Sequence, residues 1–256
     1  MRQYLLSVFL LLSIVPVKAQ VPSLEADRPD QTETPAIVPK KHFQFETGFI
    51  FEKDDNDEAK QNSYTYPTLL AKYGVNDHFE LRLIIEHLGI ETIQSGIKSK
   101  ISGISPIKVG LKVRLLEEKG IVPLTSLIMH VAIPGAASKV FQANNYAQTF
   151  RFTMQHTLSK KLSLGYNIGA EWDGIESKAT GIYTLTTGMK LSDRWNAYVE
   201  LYGELPEASI AVHNFDGGIS FLPTPNIMLD ISAGFGLNKY APDYFIGCGF
   251  SIRLPK

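Results

Sequence analysis

The chain is short of cysteine, of long apolar runs and of any excess of one charge. Cys248 is the single cysteine in 256 residues, so neither an internal disulfide nor a thiolate zinc cluster can form. After residue 19 there is no run of roughly 18 or more consecutive apolar residues, the length a helical membrane span needs. A mean hydropathy of −0.03 agrees that the chain is not a bundle of membrane helices. The 25 basic residues face 26 acidic ones, which excludes a polycationic surface for nucleic acid and an acidic tail. No G-x-S-x-G elbow, H-E-x-x-H pair or phosphate loop is present, so the common nucleophile and metal signatures are missing. The length suits one large β or α/β domain, or two ordinary ones.

Residues 1–19 (MRQYLLSVFLLLSIVPVKA) combine a basic start at Arg2, an apolar run from Leu5 to Val17 and a small residue, Ala19, before Gln20. This is the layout of a secretory signal peptide, too short to anchor in a bilayer. Gln20, not cysteine, stands directly after it, so lipoprotein processing is excluded. Removing it takes away Arg2 and Lys18 and leaves 23 basic against 26 acidic residues, net −3. A Pro- and Thr-rich lead then occupies residues 20–41.

From residue 42 to 256 the apolar period is two. Ile227, Leu229, Ile231, Ala233, Phe235 and Leu237 share one face, while Met228, Asp230, Ser232, Gly234 and Gly236 share the other. Phe79, Leu81, Leu83 and Ile85 likewise oppose Glu80, Arg82 and Glu86, and Tyr244, Ile246, Cys248, Phe250 and Ile252 oppose Gly247, Gly249, Ser251 and Arg253. Successive strand side chains point to opposite sides, so each segment has an apolar face and a polar or small face. About twelve strands are expected, near 42–52, 63–75, 79–90, 105–116, 123–133, 145–158, 162–172, 180–191, 195–204, 211–222, 227–237 and 242–254. Short turns such as Asn76-Asp77-His78 and Ser192-Asp193-Arg194 alternate with longer polar stretches at 53–62, 91–104, 134–144 and 173–179. That alternation is expected of an up-and-down barrel with tight turns on one rim and extended loops on the other.

A soluble sandwich or lipocalin-like barrel would alternate too, with its apolar face inward. Two features favour the inverted arrangement. The polar faces carry Gly, Ser, Thr and charges of both signs, as a wet lumen would. The strands also run about 10–13 residues, near the roughly 9–11 that cross a bilayer with tilt and long for a soluble sheet. Phe43, Phe45, Tyr64, Tyr66, Trp172, Trp195, Tyr240 and Tyr244 fall towards strand ends, where interfacial aromatic girdles sit. The expected fold is thus all-β, a transmembrane up-and-down antiparallel barrel of about twelve strands, closed because unpaired backbone is not tolerated in lipid.

Candidate functional residues follow from facing. Glu80, Arg82, Glu86, Lys108, Lys112, Arg114, Arg151, Glu171, Lys190, Glu200, Glu204, Asp230 and Arg253 are expected to line the lumen, where rings of charge select solutes. Alternatively, opposite charges pair across the lumen and fill it. Asp27, Arg28 and Asp30 in the lead would fold into the barrel mouth as a plug, or the lead would be a periplasmic linker. Asp54-Asp55-Asn56-Asp57-Glu58 resembles half a calcium loop, but Ala59 stands where the sharp turn wants Gly, so a solvated acidic loop is expected and no metal. The six histidines are scattered; Ser126 and His130 share a strand face but lie about 13 Å apart by strand rise. No cofactor and no enzymatic activity are expected. A passive channel for small molecules is the first reading, with a blocked structural barrel or an outer-membrane lipid hydrolase or acyltransferase as alternatives.

Several stretches carry a family resemblance: ADRPDQTETPAIVPK (26–40), FQFETGFIFEKD (43–54), PTLLAKYGVNDHFELRL (67–83), IKVGLKVRLLEEKG (107–120), LSLGYNIGAEWDG (162–174), AYVELYGELPE (197–207) and residues 213–255. In this order and spacing they resemble the outer-membrane barrel family named for the MetA pathway of phenol degradation. The resemblance implies a barrel in the outer membrane of a Gram-negative bacterium, passing small compounds, hydrophobic ones among them. Its partners would be outer-membrane lipid or lipopolysaccharide, a small-molecule solute and the barrel insertion machinery. The chain ends Arg253-Leu254-Pro255-Lys256, without the terminal aromatic that this machinery reads in many barrels.

Overall fold

The computed structural model describes residues 22–56, 59–207 and 209–255; the leader-like stretch 1–19 lies outside the described residues. Alternating segments become strands: Phe43–Asp55 (β1), Lys60–Asn76 (β2), Phe79–Gln94 (β3), Ile97–Ile104 (β4), Lys108–Leu116 (β5), Leu124–Ala132 (β6), Ala147–Thr157 (β7), Leu162–Glu171 (β8), Thr180–Lys190 (β9), Trp195–Pro206 (β10), Val212–Thr224 (β11), Ile227–Gly236 (β12) and Tyr244–Leu254 (β13). Each pairs antiparallel with its chain neighbour, except β4 with β5, and β1 pairs with β13 from Phe43↔Leu254 to Lys53↔Tyr244, which closes the ring. β4 and β5 share one position beside β3. β5 covers the first half of β3 (Phe79↔Val113) and β4 the second half (Gln94↔Ile97). The barrel therefore has twelve positions around it, filled by thirteen strand segments.

Two stretches expected to be loops are strand hairpins instead. Residues 91–104 are the end of β3 and all of β4, joined through Ser95 (φ 50°) and Gly96 (φ 79°). Two successive residues with positive φ make the mirror-image turn whose twist matches paired strands. Within 53–62, β1 runs to Asp55 and β2 starts at Lys60, and Asn56 Oδ1 accepts the Ala59 N–H at 3.0 Å. The expected strand 105–116 is broken at Ser105-Pro106-Ile107, since proline has no N–H for the ladder. Tyr66-Pro67 forms a bulge in β2 for the same reason, the register jumping from Thr65 to Thr68.

Both described ends of the barrel, Phe43 and Leu254, lie at one rim, which also carries the tight turns. Polar side chains close these turns: Asn76 Oδ1 accepts from His78 N at 2.8 Å, Ser159 Oγ from Leu162 N at 3.1 Å and Ser192 Oγ from Trp195 N at 3.1 Å. We call this the near rim; the far rim carries the β3–β4 hairpin and the longer connections such as 133–146 and 172–179.

The barrel is inverted relative to a soluble protein. On β12, Leu229, Ile231 and Phe235 are 45%, 55% and 50% exposed on the outer wall, whereas Asp230 and Ser232 are buried. Cys248 is exposed on the outer wall with them. No helix among the described residues is long and apolar enough to cross a membrane; this barrel presents its apolar belt through strands. Aromatic pairs border that belt, Phe43–Tyr73 and Trp195–Phe221 (4.6 Å between centroids each) near one rim and Phe51–Tyr64 (5.2 Å) and Phe150–Trp172 (5.9 Å) towards the other.

Candidate functional site

The interior is polar, and the lead segment lies in it. Gln44, Glu46, Lys72, Glu80, Arg82, Lys112, Ser126, Thr153, Asn167, Glu200, Asp216, Asp230 and Arg253 are all buried. Removing such groups from water is unfavourable unless partners replace it, and residues 22–38 supply many of the partners. Leu24 is the anchor: it packs on Leu222 and Met228, and its N–H donates to the Pro225 carbonyl at 2.7 Å. This explains an apolar Met228 on an otherwise polar strand face.

Asp27 is the hub of the near half. Its carboxylate lies 2.9 Å from Lys72 Nζ, 3.0 Å from Arg82 Nη1 and 3.2 Å from Lys112 Nζ, and accepts the Thr34 N–H at 3.0 Å. Glu46 pairs with Lys72 and accepts from the backbone N–H groups of Asp27 and Arg28. Arg82 also reaches Glu80 (3.2 Å) and Glu33 (2.6 Å) and donates from Nε to His130 Nε2 (3.1 Å). Burial alone would push the Asp27 carboxyl up, but Lys112, Lys72 and Arg82 outweigh it and hold the group well below the usual carboxylate range. Glu33 follows the same logic: burial opposes ionisation, Arg82 overrides it, and the carboxyl is held below its ordinary value.

Arg28 occupies a seat made by missing side chains. Its Nη2 is 3.0 Å from Asp230 Oδ1, and the guanidinium lies over the cross-strand pair Gly48↔Gly249. A Cβ at Gly48 would fall 2.7 Å from Arg28 Cζ, and one at Gly249 2.3 Å from Arg28 Nε, so only glycine leaves this space.

Further along the lead, Thr32 donates to Glu200 and stands 2.6 Å from Thr184 Oγ1, and Glu200 accepts the Gln31 N–H at 2.7 Å. Asn167 holds the Glu33 backbone at both its N–H (2.8 Å) and carbonyl (3.0 Å). Val38 N–H donates to Glu80 at 2.8 Å, and Ser126 Oγ donates to the Pro35 carbonyl at 2.7 Å. Asp30 is the one lead carboxyl set among acids: burial pushes it well above the usual range, and Glu200, Asp216 and Asp27 push the same way.

The sequence-derived residues divide into three groups. Glu80, Arg82, Lys112, Arg151, Glu200, Asp230 and Arg253 meet the lead directly, Arg151 through the Gln31 carbonyl (2.8 Å) and Arg253 through that of Pro22. Glu86, Lys108 and Glu171 line a cavity of 660 Å³ in the far half, with His130, Thr149 and Trp172. Arg114, Lys190 and Glu204 belong to the mouths. Arg114 pairs with Glu117 (3.2 Å) and Lys190 with Asp193 (3.0 Å) at near-rim turns, and Glu204 is exposed towards the far rim. A second cavity of 450 Å³ opens in the near half between the lead and strands β7–β10, against Thr32, Gln155, Thr186 and Tyr198. Ser126 and His130 have other partners than each other: Ser126 Oγ donates to the Pro35 carbonyl, and His130 Nε2 accepts from Arg82 Nε. Asp55 pairs with Lys53 and Lys60, and no group of three or more metal-ligating side chains occurs among the described residues.

Gln44, Glu46, Lys72, Asn167 and Asp216 belong to the same interior and were not singled out from the sequence. For Gln44 and Glu46 the signal was there, since they alternate with Phe43, Phe45 and Thr47. Glu33 and Thr32 carried no periodic signal, because the lead is not a strand.

Solved structures share this fold at low sequence identity. An outer membrane channel from Pseudomonas putida F1 is 12% identical with a TM-score of 0.66, over 86% of this chain and 97% of that one. The transport unit of the autotransporter AIDA-I from Escherichia coli is 9% identical (TM-score 0.57; 91% and 93% covered). The NanC porin is 8% identical (TM-score 0.50; 82% and 98% covered). No curated protein matches the chain. A family model described as "Putative MetA-pathway of phenol degradation" matches residues 26–254, the barrel and the lead inside it together, and the chain belongs to that family.

Proposed function

We propose that this chain is a passive outer-membrane channel for small molecules, in which the lead segment sets how far the lumen is open. The observation that carries the reading is a polar lumen with a 660 Å³ cavity in its far half and a 450 Å³ cavity in its near half, the lead hydrogen-bonded to the wall in the near half. A volume of that size takes a small organic molecule. The far cavity sets Leu88, Pro106 and Trp172 beside Glu86, Lys108 and His130, which suits a solute with an apolar body and a polar handle. The Pseudomonas putida protein of like fold is described as an outer membrane channel. Passage down a gradient needs no cofactor, and the partners of Ser126 and His130 argue against hydrolysis. Tight turns at the near rim support reading that rim as the periplasmic one, with residues 1–19 directing export. The charges meeting the lead then govern opening, while Glu86, Lys108 and Glu171 govern what enters.

Cysteines at Thr32 and Thr184, whose hydroxyls are 2.6 Å apart, test the reading. With the bridge oxidised, conductance and liposome swelling should fall below wild type, and reductant should restore them. A wild-type barrel that swells no liposomes and carries no current, reduced or not, would instead be the blocked structural form.

A further inference from the structure

On the outer wall at the far rim, four lysines from neighbouring strands converge on two carboxylates. Lys53 (β1) and Lys60 (β2) share Asp55 at 3.6 and 3.0 Å, and Lys98 and Lys100 (β4) share Glu91 (β3) at 3.3 and 2.7 Å. The registers Lys53↔Asn62↔Glu91↔Lys100 and Lys60↔Ile93↔Lys98 place all six on one face. Lys60, Lys98 and Lys100 have side chains 63–64% exposed, whereas Asp55 and Glu91 are 28% and 20% exposed. The cations thus project while Asp55 and Glu91 lie behind them; with Asp243, whose carboxylate accepts the Asp55 N–H at 3.1 Å, the patch carries net +1 on a chain of net −1. A shallow groove of 240 Å³ runs between the lysines. Towards the membrane belt on the same wall stand Phe51, Tyr64 and Tyr244, with ring centroids 5.2 and 6.1 Å apart around Phe51. Cations standing above an aromatic belt and an apolar wall match a lipid that carries phosphates on its headgroup and acyl chains below it.

We propose that this outer face of β1–β4 binds the phosphorylated disaccharide headgroup of lipopolysaccharide, with its acyl chains against the barrel wall. The inference rests on the reading of the far rim as the cell-surface rim. The Lys98 and Lys100 pair on Glu91 leaves one positive charge uncompensated for a phosphate, while Asp243 balances the second lysine charge beside Asp55.

The test is native mass spectrometry of the full-length protein in detergent, titrated with bisphosphorylated lipid A and with the same lipid stripped of both phosphates. Wild type should prefer the phosphorylated lipid about tenfold. The triple variant Lys60→Gln, Lys98→Gln, Lys100→Gln should lose that preference, while Lys160→Gln, Lys161→Gln at the near rim should keep it. The variant Asp55→Asn, Glu91→Gln should bind more tightly than wild type, which decides the matter even if the triple variant does not fold. Equal binding of both lipids by wild type, an unchanged preference in the triple variant, or no gain in the Asp55/Glu91 variant overturns the proposal. So does full competition by millimolar inorganic phosphate, which would mark a free-anion site. A wild-type protein folded and soluble without detergent would show that the membrane reading itself had failed, a result separate from these.

Discussion

Asp27 and Asp30 sit three residues apart in one segment and titrate in opposite directions: at Asp27 three cations outweigh burial, whereas at Asp30 burial and neighbouring acids push the same way. The held-down carboxyls of Asp27 and Glu33 contribute to docking above their ordinary range and lose that contribution only in strong acid. Asp30 has the opposite sign: its raised value means the docked segment keeps a proton that the released segment gives up. Docking is therefore weakened as pH climbs from the ordinary carboxylate value of about 4 through the raised one. Single-channel conductance should rise over that interval, and Asp30→Asn should flatten most of the rise; a pH-independent wild-type conductance would refute this linkage. The Arg28 seat offers a second test at this scale. Gly249→Val puts carbon where the guanidinium lies and leaves Asp230 buried without its partner, a change worth about 3–5 kcal/mol. Cleavage at Glu33 by a glutamate-specific protease should become fast in that variant and stay slow in Ala233→Val on the outer wall.

Among the elements, the lead is an ordered stretch inside the barrel that makes no strand. With its prolines and mostly acidic charges it has no apolar face of its own to bury, apart from Leu24 and Val38. Its order comes from the lumen, whose buried groups need its backbone N–H and C=O as much as it needs theirs. Deleting residues 22–36 should leave Lys72, Arg82 and Lys112 without Asp27. The barrel should then melt at a lower temperature but carry several-fold more current, both readable on one refolded sample. Unchanged conductance after deletion would mean that the near half is narrowed by the wall itself. The β3–β4 hairpin shows the converse case. Residues 91–104 look like a polar loop because the segment stands above the apolar belt and keeps little of the in–out contrast, yet Ser95-Gly96 holds the turn that makes it a sheet.

For the whole molecule, the inverted barrel makes a direct prediction about facing. Ile231→Arg, on the outer wall, should destabilise the folded state in lipid by about 2–4 kcal/mol. Thr149→Arg, facing the far cavity, should cost far less and reduce cation passage. Equal losses in urea titrations of the two variants in vesicles would show that the wall has been assigned the wrong way round. The barrel also shows why twelve positions need thirteen segments: one proline-containing break, Ser105-Pro106-Ile107, splits a stave without opening the ring, because β3 pairs with both pieces.

Residue alternation by itself determined the strands, their approximate number and which side of each is polar, since a strand exposes that information every second residue. It also identified Arg82, Lys112, Glu200 and Asp230 as interior. Only the tertiary structure decided which interior charges meet one another and which meet the lead, because those contacts join residues as far apart as Arg28 and Asp230. Pairing across a lumen is set by ring closure and strand register, neither of which leaves a local trace. The same holds for the seat over Gly48 and Gly249, where what matters is an absent side chain on two strands that meet only when the barrel closes.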